Sequence, residues 1–214
     1  MIWTKDDIQG LEQQFRGRFV NSLSGVKSAN LIATKSKDGQ SNLAIFSSVV
    51  HLGANPALVG FVMRPNTVER HTYLNIIETG CYTINHVHEG VFRQAHQTSA
   101  RYIDSEFEKC QLHEEYLNDF YAPSVEESKV KYGVRFSDLK NLANGCKFII
   151  GEIEWVSFDK MALIDDGYLD IAQLGSTGVV ALDGYHSIRP LERLSYAKPE
   201  QDLKALKDWK KGWS

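Results

Sequence analysis

The sequence predicts a mainly β domain, a β-barrel with peripheral helices, and three observations carry that expectation. Short apolar runs at residues 29–34, 42–51 and 57–63 are separated by tight-turn residues. A later run, Lys147–Phe158, begins apolar and then alternates through Ile153, Trp155 and Phe158. Runs of this length joined by such turns build antiparallel sheets, and several in succession favour a closed or half-closed barrel. The glycines form neither G-x-G-x-x-G nor a phosphate-loop pattern, which argues against a dinucleotide-binding parallel sheet.

The elements follow in order. The first two dozen residues read as an amphipathic, helical lead-in ending near Gly25. Lys37-Asp38-Gly39 is a hairpin signal, because Asp-Gly tolerates positive φ, and it separates a strand at 29–34 from one at 42–51. Asn55-Pro56 marks the next turn before a strand at 57–63. Residues 67–78 predict a helix with Val68, Leu74 and Ile77 on its apolar side and Gly80 as its stop. Strand character returns at 81–87, and 89–96 suits a helical turn or two. Residues 98–132 are polar and interrupted by Pro123, which reads as an excursion with some short helix. A short strand is expected at 168–173, and Leu203, Leu206 and Trp209 predict a helical tail.

Bulk numbers bound the function. A chain of 214 residues, 43% hydrophobic and 24% charged, fits one generous domain with a sizeable core. A net charge of −3 and a pI of about 6.2 disfavour nucleic acid and anionic membranes as partners, while leaving room for a local basic pocket. Cys81, Cys110 and Cys146 are odd in number and unpaired in spacing, as in a reducing compartment. Asp6, Asp7 and Glu12 precede any apolar run, unlike a signal peptide, and no stretch reaches bilayer length. A cytoplasmic location with no membrane partner is expected.

One stretch carries polar groups where a core would hold aliphatics. Asn42, Ser47 and Ser48 suit the carbonyl and N–H edge of a planar heterocycle. Arg64, Thr67, Arg70, His71 and Thr72 gather where the helix should begin, and Arg, hydroxyls and free helix N–H groups together suit a phosphate monoester. The same residues also suit ordinary strand hydroxyls and helix capping. His86, His88 and His96 lack the carboxylate or Cys partners of a metal site, so no metal is expected. Ser47 and Ser48 lack a nucleophile elbow, so no catalytic side chain is expected. Trp155 and Phe158 read as core or subunit contact, and Trp209 and Trp213 as residues docking the tail on a partner.

The run Asn30-Leu31-Ile32-Ala33-Thr34, then Asp38-Gly39-Gln40-Ser41-Asn42-Leu43-Ala44, Phe46-Ser47-Ser48, Asn55-Pro56, Gly60-Phe61, Arg64-Pro65 and Thr72-Tyr73-Leu74-Asn75-Ile76 resembles the flavin-reductase-like, FMN-binding split-barrel family, flavoredoxin-type members above all. Gly80 to Asn85, Gln94 to Ser99, Ser105 to Leu112 and Gly151-Glu152-Ile153 extend the resemblance from residue 25 to about 160. It implies one domain over 1–214, with helical extensions at both ends of a six-stranded Greek-key split barrel, and a homodimer with FMN near the subunit interface. It implies that Asn42, Ala44, Phe46, Ser47 and Ser48 meet the isoalloxazine and that Arg64, Thr67, Arg70, His71 and Thr72 hold the phosphate. His96, Thr98 and Ser99 would lie close to the flavin, from the same subunit or across the interface. NADH or NADPH would be the co-substrate and a flavin-dependent oxygenase, or another acceptor, the partner. The family's Gly-Asp-His segment reads Gly184-Tyr185-His186 here, which keeps open an FMN-binding electron carrier without NAD(P)H activity. A haem- or F420-binding relative on the same barrel is the third reading.

Overall fold

The computed structural model describes residues 1–65 and 70–206. Helices α1 (Lys5–Gly10) and α2 (Gln13–Ser22) open the chain, followed by strands β1 (Lys27–Ser28), β2 (Asn30–Lys35), β3 (Ser41–Phe46), β4 (Val50–Ala54) and β5 (Ala57–Met63). Then come α3 (His71–Thr79), β6 (Cys81–His86), α4 (Phe92–Gln97), α5 (Glu106–Lys109), β7 (Glu114–Glu115) and β8 (Ser124–Val125). Two long strands, β9 (Val130–Asn141) and β10 (Lys147–Phe158), precede the short hairpin of β11 (Thr177–Val180) and β12 (Gly184–Ser187).

The main sheet has seven strands in the order β3-β2-β6-β9-β10-β5-β4, with every neighbouring pair antiparallel. Its two edges, β3 and β4, are consecutive in sequence and joined only by Ser47, Ser48 and Val49. Laid flat, seven strands would separate the edge axes by about 29 Å at ~4.8 Å per step. The four residue steps from Phe46 to Val50 span at most about 14 Å. The sheet must therefore curl until its edges nearly meet, which makes it a barrel split between β3 and β4. The sheet has seven strands where the resemblance implies six, because the bend at Ser47–Val49 divides one stretch of chain into β3 and β4.

Two cores flank β2. Ile32, Phe61, Met63, Tyr82, Ile84, Val134 and Ile149 fill the barrel interior with Ile76 of α3, whereas Leu31, Ala33 and Leu43 pack outside against Val91 and Ala95, beside and in α4, and Phe107 of α5. Burial on both faces explains why β2 is a continuous apolar run rather than an alternating one. Gly80 ends α3 at φ 72°, the left-handed cap that only glycine adopts without strain. On β9, Gly133 lies under the Trp155 indole of β10, so close that a Cβ there would stand 2.0 Å from Nε1.

Several expectations are corrected. The strand expected over 42–51 breaks at Ser47–Val49, because the chain there leaves one sheet edge for the other. The helix expected from Thr67 begins at His71, and Thr67 itself lies outside the described residues. The excursion at 98–132 does contain a short helix, α5, but its end is already strand β9, a central strand that the polar reading missed. Residues 168–173 form turns, with a lone bridge from Leu163 to Leu169, instead of a strand. Residues 202–206 are not helical, and Trp209 and Trp213 lie outside the described residues.

Candidate functional site: the open edge of the split barrel

Backbone parity on β3 sets the geometry. Ser36 N–H donates to Gln40 at the hairpin, so the hydrogen-bonded pairs of the β2–β3 ladder fall on Thr34–Asn42, Ile32–Ala44 and Asn30–Phe46. The N–H groups of Leu43, Ile45 and Ser47 therefore point away from β2, out of the barrel's open edge. Leu43 N–H donates to the Glu106 carboxylate of α5 at 3.2 Å. Ile45 and Ser47 have no acceptor among the described residues.

Side chains on β3 alternate between the two cores. Asn42, Ala44 and Phe46 face the barrel interior and α3, and the Phe46 ring meets Phe61 at 5.0 Å. Asn42 is buried, and its Nδ2 donates to Thr72 Oγ1 at 2.9 Å and, weakly, to Thr34 Oγ1 at 3.5 Å. Asn75 Nδ2 donates to the same Thr34 hydroxyl at 3.1 Å. Asn42 and Thr72 are thus each other's partners, and they pin the first turn of α3 onto β3. Ser48 Oγ is also engaged, accepting from Val62 N–H at 3.0 Å and donating to Val62 C=O at 3.2 Å.

Among the described residues, the first turn of α3 is rich in unanswered donors. Arg70 is its N-cap and makes no side-chain capping bond, so the first N–H groups of the helix lack that acceptor. Arg64 and His71 are exposed and Arg70 is half-buried, its Nε inaccessible and without a hydrogen-bond partner. Neither arginine has an acidic partner among the described residues. Lys147, which the sequence did not suggest, sets its ammonium 5.2 Å from the centre of the Tyr73 ring in the same turn. Positive groups with no described counter-ion around a helix N-terminus suit an anion.

The remaining predicted residues lie on the other face of β3. His96 Nδ1 is 3.1 Å from the Tyr185 hydroxyl, which places α4 against the Gly184-Tyr185-His186 segment of β12. Burial, with a smaller contribution from Asp183, pushes the Tyr185 phenol up to about 12. Phe92 packs beside the same ring at 5.3 Å. Thr98 and Ser99 spend their hydroxyls on the helix end, donating to Ala95 C=O at 2.8 Å and His96 C=O at 2.7 Å. The structure therefore divides the predicted residues into an α3 set and an α4 set, with the free edge of β3 between them. Sequence reasoning could not pair His96 with Tyr185 or Leu43 with Glu106, since these contacts span 89 and 63 residues. Among the described residues no three His, Cys, Asp or Glu side chains gather as metal ligands.

Residues 24–172 match the family described as flavin reductase like domain. The chain belongs to that family. A solved Shewanella frigidimarina protein, provisionally named a flavin reductase with a split barrel domain, is 50% identical, with a TM-score of 0.89 over 92% of this chain and all of that one. The nitrilotriacetate monooxygenase component B of Bacillus cereus has a TM-score of 0.80 at 17% identity, over 91% of this chain and 98% of its own. A flavoredoxin of Desulfovibrio vulgaris (Miyazaki F) has a TM-score of 0.69 at 20% identity, over 94% and 98%. The last two establish the shared split-barrel fold. A search of curated proteins found no match. No described helix is long and apolar enough to cross a membrane.

Proposed function

We propose that this flavin-reductase-like chain binds FMN at the open edge of β3 and passes hydride between a nicotinamide and the flavin. One observation carries the reading: outward N–H groups at Ile45 and Ser47, with no acceptor among the described residues, lie on a strand packed against a helix start whose cations have no described counter-ion. A flavin mononucleotide needs that pairing, donors for a planar ring with carbonyl acceptors and a cationic cradle for one phosphate. The residues fit the group. Ile45 and Ser47 would donate to the ring edge, and Arg64, Arg70, His71 and the first turn of α3, with Thr67 next to them in sequence, would take the phosphate. A ring set against the strand edge also reaches the α4 face, where His96, Thr98 and Ser99 lie.

Bound FMN would supply the two-electron chemistry, accepting hydride from NADH or NADPH at N5. The chain's part is to orient the ring, exclude water from one face and neutralise the charge that reduction adds. N–H donors fixed in the edge do so without reorganisation, and no nucleophile or acid–base dyad is required.

Assembly follows from the amino-terminal arm. Helices α1 and α2 bury no residue, and Phe15 and Val20 on the second of them, with Leu23 at its C-cap, remain exposed. A ten-residue helix is marginal alone, so its apolar side needs a surface; a second copy of the chain, in a homodimer, would provide it. A cytoplasmic location and transfer of reduced flavin to an oxygenase fit this reading, the latter suggested by the relative named as a monooxygenase component.

The alternative, an FMN electron carrier without nicotinamide activity, is favoured by Tyr185, which stands where the family pattern has Asp and is tied to His96. Titration of the purified protein with FMN tests both, uptake appearing as an oxidised-flavin band near about 450 nm. Protein that takes up no FMN refutes both readings. Bleaching by anaerobic NADH or NADPH selects the reductase; persistent colour selects the carrier. Arg64→Ala should weaken FMN more than riboflavin, which lacks the phosphate.

A further inference from the structure

Ser48 occupies a position that the main-chain ladder should have filled. The β4–β5 register pairs Val50 with Gly60. Two residues back along β4 and two forward along β5, the next rung would join Ser48 to Val62. That rung exists, but Ser48 makes it with its side chain: the hydroxyl takes both the N–H of Val62 at 3.0 Å and its C=O at 3.2 Å. Since the hydroxyl satisfies both groups of Val62, the backbone of Ser48 is not drawn into the β5 ladder. The chain can leave β3, turn through Ser47–Val49 and enter β4 only at Val50.

We infer that Ser48 is a positioning residue for the flavin ring, its hydroxyl latching the seam so that the adjoining backbone donors stay aimed at the open edge. The inference rests on the FMN reading above, but its geometry does not. Without the hydroxyl, Val62 keeps two half-buried polar groups that must be answered. The least costly answer is to lengthen β4 by one rung, with the backbone of Ser48 replacing its side chain. That change would rotate Ser47 and carry its N–H away from the edge. A hydroxyl at this position is therefore required for ring placement, and the role differs from a direct side-chain contact with the flavin.

The test compares Ser48→Ala with Ser48→Thr, which keeps the hydroxyl, using FMN and riboflavin as probes of the whole chain. Ser48→Ala should weaken both flavins by the same factor, about tenfold for the loss of one well-placed donor. The ratio of the two dissociation constants should stay unchanged, since that ratio reports the phosphate alone. Ser48→Thr should restore both affinities to within about threefold. Hydrogen exchange at the amide of residue 48, measured without flavin, should slow in Ser48→Ala, where that amide joins the β5 ladder, and stay fast in Ser48→Thr. Riboflavin and FMN affinities that are intact in Ser48→Ala overturn the inference, as does equal weakening in the Ala and Thr variants. An effect on FMN without one on riboflavin also overturns it. If the unsubstituted protein takes up neither flavin, the FMN reading falls and the positioning role falls with it; intact flavin uptake by Ser48→Ala removes the latch alone.

Discussion

Asn42 offers the sharpest test of whether the polar stretch is structure or ligand surface. Its amide is buried and donates at 2.9 Å to Thr72 and at 3.5 Å to Thr34. Asn42→Ala removes the donor to Thr72, and an orphaned buried partner costs about 1–3 kcal/mol. The lost amide leaves a cavity of roughly 30 Å³, which adds about 0.7 kcal/mol at ~24 cal/mol per Å³. The expected destabilisation is therefore about 2–4 kcal/mol, or roughly 6–12 °C in Tm at ~3 °C per kcal/mol for a chain of this size. Urea and thermal melts at pH 7, without flavin and followed by tryptophan fluorescence, measure it. A double-mutant cycle with Thr72→Ala should return a coupling of about 1 kcal/mol, since both substitutions break one bond. A loss below about 0.5 kcal/mol in Asn42→Ala would refute the reasoning, because a buried donor of this geometry cannot be so cheap to delete. The amide would then be free for a ligand, and a fall in FMN affinity without a fall in stability would say so.

Two further predictions concern the rest of the barrel. Burial lowers His86 from 6.5 to about 4 in the folded protein, where its Nδ1 meets Ser176 Oγ at 3.2 Å and its ring adjoins Tyr132. The unfolded chain then binds the proton more readily, so stability is complete above pH 6.5 and is lost as pH falls towards 4. The loss is about 3 kcal/mol as an upper value, since the residue keeps some accessible surface. Urea melts across that window should show the slope in the unsubstituted protein and a shallower one in His86→Gln, the remainder reflecting His88, which burial also lowers; equal slopes would clear His86. Gly133→Ala drives a Cβ into three indole atoms of Trp155, all within 2.7 Å, and must rotate a rigid ring packed on Phe120. It should cost about 1–3 kcal/mol and change the Trp155 emission; an unaltered melt and spectrum would mean that the indole does not cover Gly133.

The barrel was legible because its strands near the amino terminus are short, apolar and separated by strong turn signals. β2, β5 and β6 and the Asp38-Gly39 hairpin needed only that local pattern. β9 escaped notice although Val130, Tyr132, Val134 and Phe136 alternate, because Lys131 and Arg135 interleave them and read as a solvated excursion. The structure shows why those cations are tolerated. Lys131 is buried against the Glu115 carboxylate and the C=O groups of Val125 and Glu126, and Arg135 forms a two-pronged pair with Glu154 on β10. Partners supplied by distant segments leave no local trace. The site was legible in the same partial way. The residue types of 42–72 announced a polar surface, but not that Asn42 and Thr72 answer each other or that Ser48 answers Val62. The donors left over belong to the backbone of Ile45 and Ser47, where side-chain identity carries no signal.

A sheet with an open edge ordinarily invites pairing with another chain, and proteins suppress such edges with charges, bulges or cover. Along β3 the suppression is selective. Glu106 answers Leu43, and α4 and α5 cover the outer face as far as Leu43 and Ile45. Beside the seam the Ser48 side chain answers Val62 of β5, so the backbone of Ser48 stays out of the β4–β5 ladder. Pairing β3 with a further strand would satisfy Ile45 and Ser47 and remove a liability, yet the edge is left open, and the nearby rung to β5 is made by a side chain instead of backbone. Alone, such a gap costs stability without return. Beside a helix start whose arginines have no described counter-ion, one planar, anionic ligand of the kind proposed would answer both the outward donors and the charge. The physical case for a flavin phosphate ester thus rests on two deficits that the same molecule would fill, not on any single residue in the stretch.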